Sequence, residues 1–79
     1  MFKPNLKLNE IAVGKRAIVK KINSNESIKR RLLDIGLTPG SKIECVLSSP
    51  SGDPKAYLIK GALIAIRNED SNMIIVEAC

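Results

Sequence analysis

The 79 residues are expected to form one domain over residues 1–79, and a chain of this length buries only about 60–65% of its unfolded surface. It has no run of about 18 apolar residues that could span a membrane, no signal-peptide core and too few cysteines for a disulfide framework, which predicts a soluble cytoplasmic protein. The net charge of +5 is uneven, because residues 1–31 carry nine basic and two acidic side chains.

A strand precedes the helix in the N-terminal part of the chain. Within residues 1–14 we expect a short strand or a single turn that places Leu8 and Ile11 against the core. Residues 15–22 predict a longer strand, because β-branched residues fill its centre and lysines flank it.

One helix is predicted over about residues 26–35. Its apolar residues recur at i, i+4 and i+7, which defines one helical face, and three basic residues take the solvent side. Asn23 followed by Glu26 resembles a capping box, with Ser24 and Asn25 as alternative N-caps. The apolar face consists of Ile28, Leu32 and Ile35 with Leu33 beside it, and the basic run consists of Lys29, Arg30 and Arg31.

The helix is expected to end abruptly and to lead into a strand. Gly36 can adopt the left-handed φ that closes a helix without a Cβ penalty. Pro39 cannot continue a helix, and Pro39 with Gly40 signals a tight turn. Ile35 and Leu37 flank the stop, so apolar contacts can hold both sides of this corner.

The second half of the chain predicts several short strands at roughly ten-residue spacing. In the first, residues 42–48, alternation places Ile43, Cys45 and Leu47 on the inner face. The remaining strands are residues 55–60, 61–67 and 73–77 (with Ile74 and Val76 inward), joined by a loop over 49–54, a tight turn or kink at Lys60–Gly61 and a polar turn over 68–72. This order predicts a mainly β fold, a small antiparallel barrel with one inserted α-helix.

The residue types that support catalysis or metal binding are absent or scattered. The chain has no histidine, which is the commonest general base and transition-metal ligand. Cys45 and Cys79 lie far apart in sequence, no glycine-rich phosphate loop is present, and Asp53 is expected to be a turn residue that accepts backbone hydrogen bonds. We therefore expect no enzymatic activity, no cofactor and no metal site.

A small basic barrel can also bind nucleic acid, and this is the alternative function that the sequence leaves open. Such barrels normally stack bases on aromatic side chains, and Tyr57 is the only aromatic residue in a predicted strand. Contacts to the phosphate backbone through lysines and arginines remain a second possibility. The simplest interpretation of the basic residues is a solvated surface that aids solubility.

Several motifs in series resemble the FeoA family, the small cytosolic accessory proteins of bacterial ferrous iron transport. The matching segments are Arg-Arg-Leu-Leu-Asp-Ile-Gly-Leu-Thr-Pro-Gly at residues 30–40, Ile-Glu-Cys-Val at 43–46, Gly-Asp-Pro at 52–54 and Gly-Ala-Leu-Ile-Ala-Ile-Arg at 61–67. The resemblance covers most of the chain. It implies an SH3-like barrel with a helix inserted after the first long strand.

The resemblance also implies a partner. FeoA-like proteins are expected to dock on FeoB, the membrane transporter for ferrous iron, at its G-protein domain or cytosolic face, so the protein would be cytoplasmic and peripheral to the inner membrane through this partner. Many family members carry an aromatic residue where this chain has Ala62, which suggests different or weaker binding if that aromatic anchors the partner.

Four residues are candidates for partner binding. The basic run Lys29, Arg30 and Arg31 would steer association electrostatically, with a solvated surface as the simpler alternative. Leu63 would supply apolar contact, with core filling as the alternative.

Overall fold

The computed structural model describes residues 5–79 and consists of one six-stranded antiparallel sheet with a nine-residue helix, a short second helix and a 3₁₀ turn. The strands are β1 Asn5–Lys7, β2 Arg16–Ile22, β3 Lys42–Ser48, β4 Lys55–Ile59, β5 Ala62–Ile66 and β6 Ile74–Ala78; the helices are α1 Glu26–Asp34 and α2 Asn68–Ser71, and the 3₁₀ turn is Leu8–Glu10. The mainly β fold with one inserted helix is confirmed. The first four residues of the predicted segment 1–14 lie outside the described residues.

The strand order is β1-β6-β2-β3-β4-β5, so within residues 5–79 the sheet has β1 at one edge and β5 at the other. β6 lies between β1 and β2, with Asn5 opposite Glu77 and Val19 opposite Val76. β3, β4 and β5 follow as a meander of antiparallel neighbours.

The turn between β4 and β5 is the tight one predicted at Lys60–Gly61. Both residues have positive φ, 49° and 84° respectively, as a two-residue type I′ hairpin requires. Ile59 and Ala62 are therefore the pair that closes the hairpin, opposite each other in the register.

The N-cap of α1 is Asn25, one of the predicted alternatives, and the capping box at Asn23 is wrong. The side chain of Asn25 accepts a hydrogen bond from the backbone N–H of Ile28 at 3.0 Å. Asn23 is still part of the strand pairing, because its N–H donates to the carbonyl of Met73 at 2.6 Å. The helix therefore starts only after this last link to the end of the sheet.

The C-terminus of α1 is closed by a Schellman motif around Gly36, which has φ +102°. The N–H of Gly36 donates to the carbonyl of Leu33, and the N–H of Leu37 donates to the carbonyl of Leu32, both at 3.0 Å. Leu32 and Leu37 are both buried in the core, as the apolar contact of this motif requires. The predicted helix stop at Gly36 is confirmed.

Ser41 ties this corner to the sheet. It is buried, and its hydroxyl donates to the carbonyl of Gly36 at 3.0 Å. Its carbonyl accepts from the N–H of Val19, while the N–H of Gly40 donates to the carbonyl of Val19. The corner after α1 is thereby fixed to β2.

The core is mostly aliphatic. It draws on every strand except β1, on the 3₁₀ turn and the residue after it, on α1 and on the corner that follows α1, and Tyr57 is its largest member. Leu8, Ile11, Ile43, Cys45, Ile74 and Val76 are buried as predicted. The predicted inward position of Leu47 is wrong, because the strand register shifts between Cys45 and Leu47. This bulge places Leu47 opposite Ala56, and its side chain is 56% exposed.

Candidate docking cleft

A cleft of about 500 Å³ separates the C-terminal half of α1 from strand β5 and helix α2. We call it the α1–β5 cleft. Its lining residues are Arg31, Leu32 and Ile35 from α1, Ile64, Ala65 and Ile66 from β5, and Arg67, Glu69 and Asp70 from the segment that follows.

The helical wall of the cleft is apolar at its base and charged at its rim. Leu32 and Ile35 lie at i and i+3, so they share one face of α1, and Leu32 is buried while Ile35 is half-buried. Arg31 stands beside them with its side chain 72% exposed. This wall therefore combines an apolar base with an exposed cationic rim.

Charged groups of both signs surround the end of the cleft near α2. The Arg31 guanidinium lies 3.7 Å from the Asp70 carboxylate, linking α1 to α2. Because the Arg31 side chain is largely exposed, the contribution of this pair to stability is about 0–1 kcal/mol. Arg67 and Glu69 are exposed at the same end, and the three ion pairs found among residues 5–79 include neither of them.

Just beyond the C-terminus of α1, the side chain of Lys60 lies close to Gly36. A Cβ built on Gly36 would lie 3.3 Å from Cδ of Lys60 and 3.5 Å from Cγ2 of Ile59. The residue that stops the helix thus also sets how closely the helix approaches the β4–β5 hairpin. Lys60 itself does not line the α1–β5 cleft.

The structure brings only one member of the basic run into this cleft. Lys29 and Arg30 are exposed on α1 but do not line it, whereas Arg31 does. Leu63 is on β5 but does not line the cleft, and its side chain is 56% exposed. The core-filling alternative for Leu63 is therefore wrong.

Leu63 belongs to an apolar patch on the outer surface of the sheet. It lies directly across from Leu58, which is 39% exposed, and the next row along the strands holds Leu47, Ala56 and Ala65. These five residues form the outer patch. Sequence alternation alone does not reveal the whole outer patch. Recognising it requires placing Leu47 on the outer face, and that placement depends on the bulge in β3.

The buried ionisable groups are Cys45 and Tyr57, which face each other across β3 and β4. Burial raises the pKa of the Cys45 thiol, and burial together with the neighbouring Cys45 raises the pKa of Tyr57 to about 12. Both groups are therefore protonated at neutral pH. Because the Tyr57 ring is fully buried, it is not available to stack on a base.

Neither a metal cluster nor a spanning helix appears in the part of the chain that the structure describes. No group of three or more Cys, Asp or Glu side chains lies close enough to hold a metal ion within residues 5–79. Over the same residues, no helix has the length and apolar character needed to cross a bilayer. The Asp53 carboxylate accepts the backbone N–H of Asn68 at 2.9 Å, which confirms its predicted role in a turn.

Comparison with known proteins decides the family. The model of the FeoA domain matches residues 6–78. The chain belongs to the FeoA family. Its members function in ferrous iron transport, and the resemblance drawn from the sequence motifs is confirmed.

Solved structures of FeoA proteins share the fold. FeoA from Chlorobium tepidum is 33% identical, with a TM-score of 0.87 over 92% of this chain and 70% of that chain. FeoA from Stenotrophomonas maltophilia, complexed with zinc and described as an SH3 domain protein, is 24% identical, with a TM-score of 0.80 over 90% of this chain and 88% of that one. The predicted SH3-like fold is confirmed.

A curated relative joins this domain to a transporter. The Fe(2+) transport protein A/Fe(2+) transporter FeoB fusion protein of Porphyromonas gingivalis is 29% identical over 72 residues, 91% of this chain. The match spans only 8% of the length of that protein.

Proposed function

We propose that this protein is a non-enzymatic accessory component of bacterial ferrous iron uptake that docks on a FeoB transporter from the cytosolic side. The observation that carries the proposal is the fusion protein of Porphyromonas gingivalis, in which a FeoA-related segment and FeoB are one polypeptide. Two domains fused in one organism commonly act in contact where they are separate chains, so FeoB is the expected partner of this FeoA-family chain.

The surface of the molecule has features that suit docking. The basic run on α1 gives a local positive field that raises the rate of association with an acidic surface. The outer patch, with Leu58 and Leu63 side by side, offers apolar area beside the α1–β5 cleft. Buried groups give no support to catalysis, because Cys45 and Tyr57 are held protonated in the core.

The nucleic-acid alternative receives less support from the structure. Its one candidate stacking residue, Tyr57, has no exposed surface. Only contacts to the phosphate backbone through basic side chains would remain, and these carry no sequence specificity. Docking on a protein partner therefore explains more of the observed surface.

The test measures binding to purified FeoB from the same organism in nanodiscs, at low and at physiological salt. We expect a Kd that weakens with salt, and a fall in the association rate constant of roughly tenfold for Arg30→Glu/Arg31→Glu at low salt. Leu63→Ala should raise the dissociation rate and leave the melting temperature nearly unchanged, because the side chain is exposed.

A matched control reverses two charges elsewhere. Lys15→Glu/Lys21→Glu changes the net charge by the same amount on exposed residues away from α1, so it should affect association far less. Equal losses of association rate in the two double variants would show that the net charge of the protein, and not the basic run, steers association. No binding of the unaltered protein to FeoB, with salt-steep binding to RNA or single-stranded DNA instead, would overturn the proposed function.

A further inference from the structure

We propose that the partner docks by strand addition, with an extended segment of FeoB pairing to the free edge of β5 inside the α1–β5 cleft. This inference rests on the proposed function for the identity of the partner. It goes further in naming the surface, the backbone atoms and the chemistry of the segment that fits them.

β5 has the properties of an open edge. It is the last strand of the sheet, and its backbone hydrogen bonds within residues 5–79 run to β4 alone. Its sequence, Ala-Leu-Ile-Ala-Ile at residues 62–66, contains neither a charged residue nor a proline. Edge strands are usually protected from pairing by charges, prolines or bulges, and β5 has none of these.

The hairpin geometry identifies which backbone groups are free. In a two-residue type I′ hairpin the closing pair, Ile59 and Ala62, exchanges hydrogen bonds, and bonded pairs then alternate along the strands. Ile64 and Ile66 therefore point their amides toward β4. The N–H and C=O groups of Leu63 and Ala65 point away from it, toward an incoming strand.

The cleft exposes this edge rather than one face of the strand. Ile64, Ala65 and Ile66 all line it, although consecutive side chains of a strand point to opposite faces. A cleft that runs along the backbone edge of β5 accounts for this lining by three consecutive residues. The opposite wall, Leu32 and Ile35, lies where alternate side chains of an added strand would pack.

The charges at the two ends of β5 define the segment further. Lys60 stands where the strand begins and has no carboxylate partner among the ion pairs of residues 5–79, so an acidic residue fits opposite it. At the other end Arg67 and Glu69 carry opposite charges, so this end favours neither an acidic nor a basic residue of the partner. The segment that fits is extended, apolar at alternate positions and acidic at the end that lies beside Lys60.

A second copy of this chain fits less well. Antiparallel pairing of two β5 strands about a two-fold axis would place both α1 helices on the same side of the joined sheet. The two basic runs, Lys29, Arg30 and Arg31, would then approach each other in addition to the repulsion between two chains of charge +5. A FeoB segment with acidic and apolar residues would contact the same surface without this electrostatic repulsion.

The test removes one free N–H without touching the β4 ladder. Ala65→Pro deletes the outward amide of an exposed residue on an edge strand, where proline is tolerated, and its ring blocks the approach of another strand. We expect Ala65→Pro to weaken binding to FeoB at least about tenfold, as the loss of one or two backbone hydrogen bonds implies. Ala65→Val keeps the N–H and adds bulk, so it is the matched control for side-chain size, and Ala65→Pro should bind clearly more weakly than Ala65→Val.

The outcomes separate the two proposals. If the unaltered protein binds FeoB and Ala65→Pro binds equally well, strand addition is overturned while the proposed function stands. If the unaltered protein does not bind FeoB, the proposed function fails first. If sedimentation shows that the unaltered chain is a dimer that Ala65→Pro dissociates, β5 pairs with a second copy and the inference is also overturned.

A second measurement covers the case in which Ala65→Pro does not fold. Amide hydrogen exchange of the unaltered protein, followed with and without FeoB, should show new protection at Leu63 and Ala65. Unchanged exchange at these two amides in the complex would overturn strand addition without any variant.

Discussion

Because Tyr57 loses its proton at alkaline pH, the stability of this domain should fall as the pH rises above 10. Tyr57 is the only tyrosine in the chain and is fully buried. Burial, with a smaller contribution from Cys45, raises its pKa from 10.0 to about 12. Because the folded pKa exceeds the unfolded one, the stabilisation is complete below pH 10 and is lost as the pH rises from 10 toward 12.

The size of the effect follows from this difference in pKa. A rise of about two units corresponds to a loss of roughly 2 kcal/mol of unfolding free energy by pH 12. A domain of this length has a total stability of about 4–12 kcal/mol, so the loss is a large part of it. In melting temperature it amounts to about 10–20 °C.

The assay compares thermal unfolding of the unaltered protein and Tyr57→Phe from neutral pH to pH 12. The hydroxyl lies 3.5 Å from the carbonyl of Leu8, which also accepts from the N–H of Ile11, and it hydrogen-bonds with the Ser71 side chain, so Tyr57→Phe should cost about 1 kcal/mol at pH 7. All other ionisable groups are the same in both proteins, and the difference between the two curves therefore isolates Tyr57. Ultraviolet titration of the single tyrosinate reports the pKa directly.

A folded-state pKa near 10 in that titration would refute the reasoning, since it would mean that water reaches the ring. Parallel pH curves for the two proteins would refute it as well, because the alkaline loss would then belong to other groups.

Two further predictions concern α1 and its C-terminal corner. Leu32→Ala should lower the unfolding free energy by about 2–5 kcal/mol in urea titrations, because Leu32 is buried, whereas Leu33→Ala should cost clearly less because Leu33 is half-buried; equal losses would show that the core face of the helix is assigned wrongly. Gly36→Val should lower the melting temperature more than Gly52→Val, since both glycines have positive φ but only at Gly36 would a Cβ meet Lys60 and Ile59. Indistinguishable melting curves would mean that the helix does not press on the β4–β5 hairpin there.

The local pattern of the sequence was enough to predict most of the fold. Helix periodicity, the stop at Gly36 and the alternation of short β-branched segments depend on neighbouring residues, so α1 and the strands from β2 onward lie within one or two residues of their predicted bounds. The tight turn at Lys60–Gly61 was predictable for the same reason.

Features that depend on pairing between distant segments were not predictable. The cap moved from Asn23 to Asn25 because Asn23 bonds to Met73, fifty residues away in the chain. Leu47 points outward because β3 bulges against β4, and alternation alone cannot show a bulge.

The candidate site shows the same division. Arg31 and Leu63 were recognisable as candidates, because a basic run and an apolar strand residue are visible in sequence. The α1–β5 cleft was not, since it arises from the approach of α1, β5 and α2, and Ile35, Ala65 and Asp70 gave no separate signal. Ser41 was missed because a lone serine after a turn is usually solvated.

The antiparallel pairing of β1 with β6 has an engineering consequence. Since Asn5 lies opposite Glu77, the two ends of the described chain leave the domain side by side, about 5 Å apart between backbones. A short linker should therefore allow circular permutation. A tether attached there starts at β1, the edge strand opposite to β5 in the strand order, so it would not occupy the edge of β5.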